Sequence, residues 1–144
     1  TIINLSSELK NIKIRGKIDR IDSVNGTTRV IDYKTGGQVK QTDLNIKEYD
    51  KIFEDKKYSN IFQLLFYSLA IEKDKKYNFP VENGIISFRN LSIGPLKTTF
   101  LDKSNLVTPE KLKDYKKGLE RLIIEILDID TSFKEKKIEE NNRY

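Results

Sequence analysis

Asp19, Asp32 and Lys34 are the residues whose types and spacing could do chemistry in this chain. The sequence contains no histidine and no cysteine. That removes the commonest general base, any Ser-His or Cys-His nucleophile system, thiolate chemistry, disulfides and cysteine-held clusters. Carboxylates, lysine, tyrosine and a bound metal remain. Asn25-Gly26 separates two strand-like runs, and a two-residue hairpin turn needs φ > 0 at both of its central positions. With that turn in place, Val24 faces Thr27, Asp22 faces Arg29, Ile21 faces Val30 and Asp19 faces Asp32. Side chains directly opposite one another in an antiparallel pair lie roughly 4.5–5.5 Å apart at Cβ, where like charges repel. Lys34 follows Asp32 by two residues, so the pleat gives both the same face. Asp19, Asp32 and Lys34 then converge on a patch suited to a divalent cation with oxygen ligands and a lysine beside it. A surface hairpin whose charges merely face water fits the same spacing, and spacing alone leaves both readings open.

The elements that must position these residues follow from the hydrophobic pattern. Ile12, Ile14, Ile18 and Ile21 predict one strand running through Asp22, and Thr28 to Thr35 a second, ended by Gly36-Gly37. Residues 1–11 are ambiguous. Residues 38–58 are polar, with Ile46, Tyr49, Ile52 and Phe53 at helical spacing, and read as a short helix or a partly ordered loop. Ser59 is a candidate N-cap for the run from Ile61 to Ile71, which is apolar on nearly every side and therefore buried on most of them. Gln63 and Tyr67, one turn apart, share a face of that helix. A buried amide needs partners, so that face looks onto other polar groups, or else Gln63 caps a neighbouring backbone and Tyr67 is ordinary core.

Asn83-Gly84 leads into a strand through Arg89, and Gly94-Pro95 turns into another from Leu96 to Leu101, which together read as a second hairpin. Thr108-Pro109-Glu110 is a helix start, with a threonine cap, proline at the first helical position and an acid at the positive end of the dipole. Leu112, Tyr115, Leu119, Leu122, Ile123, Ile126 and Leu127 form one stripe, predicting a helix to about Leu127 that covers a sheet face. Glu125 and Asp128 read as solvated. No internal repeat is visible.

With 144 residues the chain is most simply one domain, 1–133, followed by a charged tail at 134–144. Composition is 37% hydrophobic and 34% charged, with net charge +5. That bias is compatible with a polyanionic partner, and equally with a lysine-rich composition alone. No apolar run reaches the roughly 20 residues needed to span a bilayer, and no signal peptide is visible, which points to a cytoplasmic protein without a membrane partner. The sequence has no methionine, even at position 1, as expected of a piece of a longer protein.

Taken in order, Gly16-x-x-Asp19-Arg20-x-Asp22, Asp32-Tyr33-Lys34-Thr35-Gly36 and Gln63-x-x-x-Tyr67 resemble the RecB/AddB-like branch of the PD-(D/E)XK nuclease superfamily. The match spans residues 16 to 67, and the order of elements beyond it is compatible. The resemblance implies an α/β fold with a restriction-endonuclease-like core, a mixed β-sheet flanked by helices, here without the family's N-terminal helix. It implies that Asp19 and Asp32 bind Mg²⁺ or Mn²⁺ with the backbone carbonyl of Tyr33, and that Lys34 sits beside the attacking water. Gln63 would orient that lysine or contact the nucleic-acid backbone, and Tyr67 would support the same pocket. Arg20, on the opposite face from Asp19 by the pleat, is expected to be structural and to pair with an acid.

The implied activity is metal-dependent hydrolysis of DNA, as an exonuclease domain of a repair or recombination protein with helicase domains or subunits as partners. Two departures from the family stand beside it. The upstream helix whose histidine or glutamate completes the metal site is expected to be missing from this sequence, which has no histidine and begins 15 residues before Gly16, and without cysteine no iron–sulfur cluster can be held. The alternative is a nuclease-fold domain serving as a DNA-binding module or scaffold, although Asp19, Asp32 and Lys34 are all present. A lysine-rich protein-interaction module would explain the apolar core but not the facing carboxylates.

Overall fold

The computed structural model describes residues 2–4 and 12–134. The hairpin forms where the turn chemistry puts it. Asn25 and Gly26 have φ of 50° and 81°, joining β3 (Arg20–Val24) to β4 (Thr27–Lys34). The register pairs Val24 with Thr27, Asp22 with Arg29 and Ile21 with Val30, as the two-residue turn requires. The ladder ends at Arg20 and Ile31, one pair short of Asp19 and Asp32. The expected strand from Ile12 to Asp22 is broken. β1 (Ile2–Asn4) pairs antiparallel with β2 (Lys13–Arg15) in a separate two-stranded sheet, and residues 16–19 cross between sheets. Gly16 permits that crossing, since a Cβ there would lie 2.7 Å from Phe66 Cε1.

Residues 38–58 are neither one helix nor loose. They wind through short 3₁₀ turns at Gln41–Leu44, Asp50–Ile52 and Lys56–Tyr58, which bury Leu44, Ile52 and Tyr58. The last turn runs directly into α1 (Ser59–Ile71), so Ser59 is the first helical residue rather than the cap. The side-chain cap sits further back, where the Asp55 carboxylate accepts from the Lys57 amide at 2.9 Å.

β5 (Val81–Ser87) does not begin a second hairpin. It lies parallel to β4, from Arg29 opposite Glu82 to Lys34 opposite Ser87, with α1 in the crossover between them. β6 is only Leu96–Lys97, antiparallel to Gly84 and Ile85, and β7 (Leu106–Val107) pairs with Val81 and Glu82 on the same edge. The central sheet is thus mixed, ordered β3-β4-β5-β6.

Helix α2 (Pro109–Leu127) starts as its sequence predicts, with the Thr108 side chain accepting from the Lys111 amide. It rests on α1 and the 3₁₀ segment more than on the sheet. The Tyr115 hydroxyl donates to Phe62 O at 2.9 Å, and its ring stacks on Phe53. Only the first part of the expected stripe is buried. Leu112, Tyr115 and Leu119 are in the core, whereas Ile126 and Leu127 are 48% and 54% exposed. Glu125 and Asp128 are exposed, as read. The core unites α1, the 3₁₀ turns, β5 and α2 around Leu64, Leu65, Ile85 and Leu112. A smaller cluster of Val30, Tyr67 and Ile71 seals α1 against β4. The ambiguous residues 5–11 and the expected tail from 135 onward lie outside the described residues. No helix among the described residues is long and apolar enough to cross a membrane.

On the sheet face away from α1, Asp22 accepts a two-pronged hydrogen bond from Arg29, at 2.7 and 2.8 Å, and pairs with Arg20 at 2.7 Å. The structural pairing expected of Arg20 is present. Hydrogen bonding from Arg29 holds the Asp22 carboxyl below its ordinary 3.8, against the opposing effect of burial. A depressed folded-state value contributes stability that is present above the unfolded value and lost as pH falls through the folded one. Asp22→Asn should therefore be less stable than the parent at neutral pH, by about 1 kcal/mol for this pair, whose two side chains are each 19% exposed. The gap should begin to narrow below about pH 4 and close as pH falls through the lowered folded-state value. Melting curves from pH 7 to pH 3 measure it, and a pH-independent gap would refute the assignment.

Candidate active site

The site lies where the carboxyl end of β4 meets the first turns of α1. Alternation along β4 sends Asp32 and Lys34 to the face that α1 covers, with Tyr33 to the other. Asp32 is 3% exposed. Its Oδ2 lies 2.8 Å from Lys34 Nζ. That contact is an ion pair without an aligned hydrogen bond, so Oδ2 is a buried oxygen with unused acceptor capacity.

Gln63 closes the arrangement from the helix. Its Oε1 accepts from Lys34 Nζ at 2.7 Å. Its Nε2 donates to Asp32 Oδ1 at 3.0 Å and to the Tyr67 hydroxyl at 2.7 Å. Only one orientation of the amide satisfies all three contacts, because a flip would turn its NH₂ toward the ammonium and its carbonyl toward the carboxylate. The polar reading of this helix face therefore holds over the backbone-capping one. Four residues from two elements form one continuous network, and the helical spacing of Gln63 and Tyr67 makes it possible.

Asp19 reaches the same strand by a route the sequence does not show. It sits in the bend before β3, and its Oδ2 accepts from the Tyr33 backbone N–H at 3.0 Å. The two carboxylates are thus not cross-strand partners, and the repulsion expected of a facing pair does not arise in that form. The structure still brings Asp19 against the residue that follows Asp32. The Gly16 crossing over Phe66 and Tyr67 sets the path that leads to it.

Ser87 was invisible as a neighbour of this site in the sequence. It is 2% exposed, stands in register with Lys34, and its Oγ has no hydrogen-bond partner among the described residues. The parallel pairing of β4 with β5 places it there, and reading 85–101 as a hairpin hides that pairing.

Hard oxygen donors suit Mg²⁺ or Mn²⁺, and Mg²⁺ commonly takes one or two protein carboxylates and completes its shell with water and phosphate oxygens. Asp32, with its unused buried lone pairs, and Asp19 meet that minimum. Among the described residues no three His, Cys, Asp or Glu side chains gather as a metal cage. The donor set fits a cation shared with a substrate phosphate rather than one enclosed by protein.

Mixed sheet, crossover helix and a strand-end Asp-x-Lys held by a helical glutamine define a class as well as a site. A model of the PD-(D/E)XK nuclease superfamily matches residues 2–138. The chain belongs to that superfamily. No curated protein and no solved structure matches it.

Proposed function

We propose that this chain is a metal-dependent deoxyribonuclease domain of the RecB/AddB-like branch, acting as an exonuclease within a DNA repair or recombination protein that also carries helicase domains or subunits. One observation carries the reading: the closed Asp32–Lys34–Gln63–Tyr67 network, a buried carboxylate and an ammonium fixed side by side at a strand end. A structural ion pair needs no glutamine–tyrosine brace on its second carboxylate oxygen. A site that must hold its geometry against an incoming polyanion does.

In this reading Asp19, Asp32 and the Tyr33 carbonyl would hold Mg²⁺ or Mn²⁺. The bound cation supplies charge neutralisation on the scissile phosphate and activation of water. Lys34 stabilises negative charge developing on the phosphate and orients the attacking water. Gln63 keeps the lysine and Asp32 in register, acting as a positioning residue, and Tyr67 fixes the Gln63 amide. The net charge of +5 favours approach of DNA.

The second reading, a DNA-binding scaffold that keeps the nuclease fold, is favoured by the absence of a third acidic ligand near Asp32 among the described residues. Cleavage of linear DNA separates the two. The nuclease reading expects degradation with Mg²⁺ or Mn²⁺, loss of it in EDTA and recovery on adding metal back. Tight, salt-sensitive DNA binding with no cleavage under any of these conditions would overturn it in favour of the scaffold.

A further inference from the structure

Tyr33 and Phe88 form an aromatic ledge beside the site, on the sheet face away from Asp32 and Lys34. Their rings stack with centroids 5.5 Å apart and planes 29° apart. Phe88 is 51% exposed. An exposed phenylalanine alone needs no explanation. What distinguishes this one is its support.

The Phe88 backbone N–H donates to Lys34 O at 3.0 Å, tying the ring to the strand that carries the site. Behind it, the Tyr33 hydroxyl accepts from Arg20 Nη1 at 3.1 Å, and Arg20 is itself held by Asp22 at 2.7 Å. The ledge is thus fixed on its inner side and open on its outer side. It begins one residue along β4 from both Asp32 and Lys34. The next residue, Arg89, is exposed and makes no ion pair or hydrogen bond among the described residues.

A rigid ring with one free face, next to an unengaged guanidinium and a polyanion site, is the combination that single-strand binders use. Bases stack on such rings with little sequence preference, each stacked base changing affinity by roughly 5- to 150-fold. Bases inside a duplex already have both faces covered and cannot use the ledge. Unpaired bases can.

We infer that Phe88, backed by Tyr33, stacks an unpaired base of a DNA single strand while Arg89 meets its phosphate, so that the substrate is single-stranded DNA or a frayed end. This deepens the nuclease reading and rests on it. The ledge is a specificity device and touches the base rather than the reacting phosphate.

Fluorescence anisotropy tests it with a short oligothymidylate and an abasic strand of equal length, in EDTA so that no cleavage intervenes. The wild type should prefer the oligothymidylate by about 5-fold or more. Phe88→Ala should erase that preference while changing the abasic affinity little. Phe88→Trp should keep the preference, and Arg89→Ala should weaken both strands alike. An unchanged preference in Phe88→Ala, or none in the wild type, overturns the inference. Metal-dependent cleavage without base preference overturns the ledge and leaves the nuclease reading standing. Base preference lost in Phe88→Ala, in a protein that cleaves nothing in Mg²⁺ or Mn²⁺, supports the base-stacking surface but overturns the nuclease reading and with it the statement about substrate. A wild type that binds neither strand overturns both.

Discussion

Asp32→Ala should lower DNA cleavage by about 1,000-fold or more while leaving the fold in place. Removing the carboxylate takes away the buried oxygen with free acceptor capacity, and with it several kcal/mol of charge stabilisation at the phosphate. The same change leaves the Lys34 ammonium without its counter-ion, which is costly where the cation is trapped. Here it is not trapped. The Lys34 side chain is 29% exposed, against 4% for that of Asp32, so the ammonium turns to water and keeps Gln63 Oε1 as acceptor. The expected melting shift is a few degrees, about 1 kcal/mol for a domain of this size. Cleavage and thermal melting measured on the same preparation check both halves. Cleavage within tenfold of the parent would remove Asp32 from the site.

Gly84→Val should destabilise the protein by about 3 kcal/mol or more, lowering its melting temperature by roughly 10 °C. Gly84 lies in β5, opposite Ile31 of β4 and Lys97 of β6. A Cβ built there would lie 2.5 Å from Leu96 O. That oxygen belongs to the backbone of a paired strand and cannot rotate away, so β6 would have to leave the ladder. Gly37 has nothing within 4 Å of such a Cβ and is the matched control, expected to tolerate valine with little change. Equal melting temperatures for the two variants would contradict the close approach of β6.

Local chemistry accounts for what the sequence made legible. Asn25-Gly26 fixed not only a turn but a register, because a two-residue loop leaves no freedom in how the strands face. The apolar run from Ile61 to Ile71 could be buried only as a central helix, and the four-residue spacing then put Gln63 and Tyr67 on one side of it. Thr108-Pro109 marked the start of α2 to the residue. The losses are all long-range or irregular. Nothing local distinguishes a strand that pairs with its neighbour from one that pairs across a crossover, so β5 read as half of a hairpin. β6 and β7 are two residues each and carry no pattern to read. Extending the ladder past its end puts Asp19 opposite Asp32, and the bend at residues 16–19, where Gly16 passes over Phe66, breaks that pairing. The exposed end of α2 shows the limit of reading a stripe as burial, since apolar spacing says which side faces inward but not how far the partner surface extends.

The parallel pairing also bears on how quickly the site comes into being. Asp32 and Gln63 are 31 residues apart in sequence, and Lys34 and Gln63 are 29. The helix that carries the glutamine packs on β4 through Val30, Tyr67 and Ile71, and β5 returns after it to place Ile85 beside Asp32, closing a loop of about 50 residues. Loops of that span must pay their closure entropy before any contact compensates it, so proteins built on them fold slowly. A hairpin such as β3–β4 forms in about 1–10 μs. The carboxylate and the lysine therefore share one ribbon, whereas their glutamine reaches them only through contacts 29 and 31 residues away in sequence. On the ribosome, a nascent chain that has not yet emerged through Gln63 would hold the acid and the ammonium without the brace that sets their geometry.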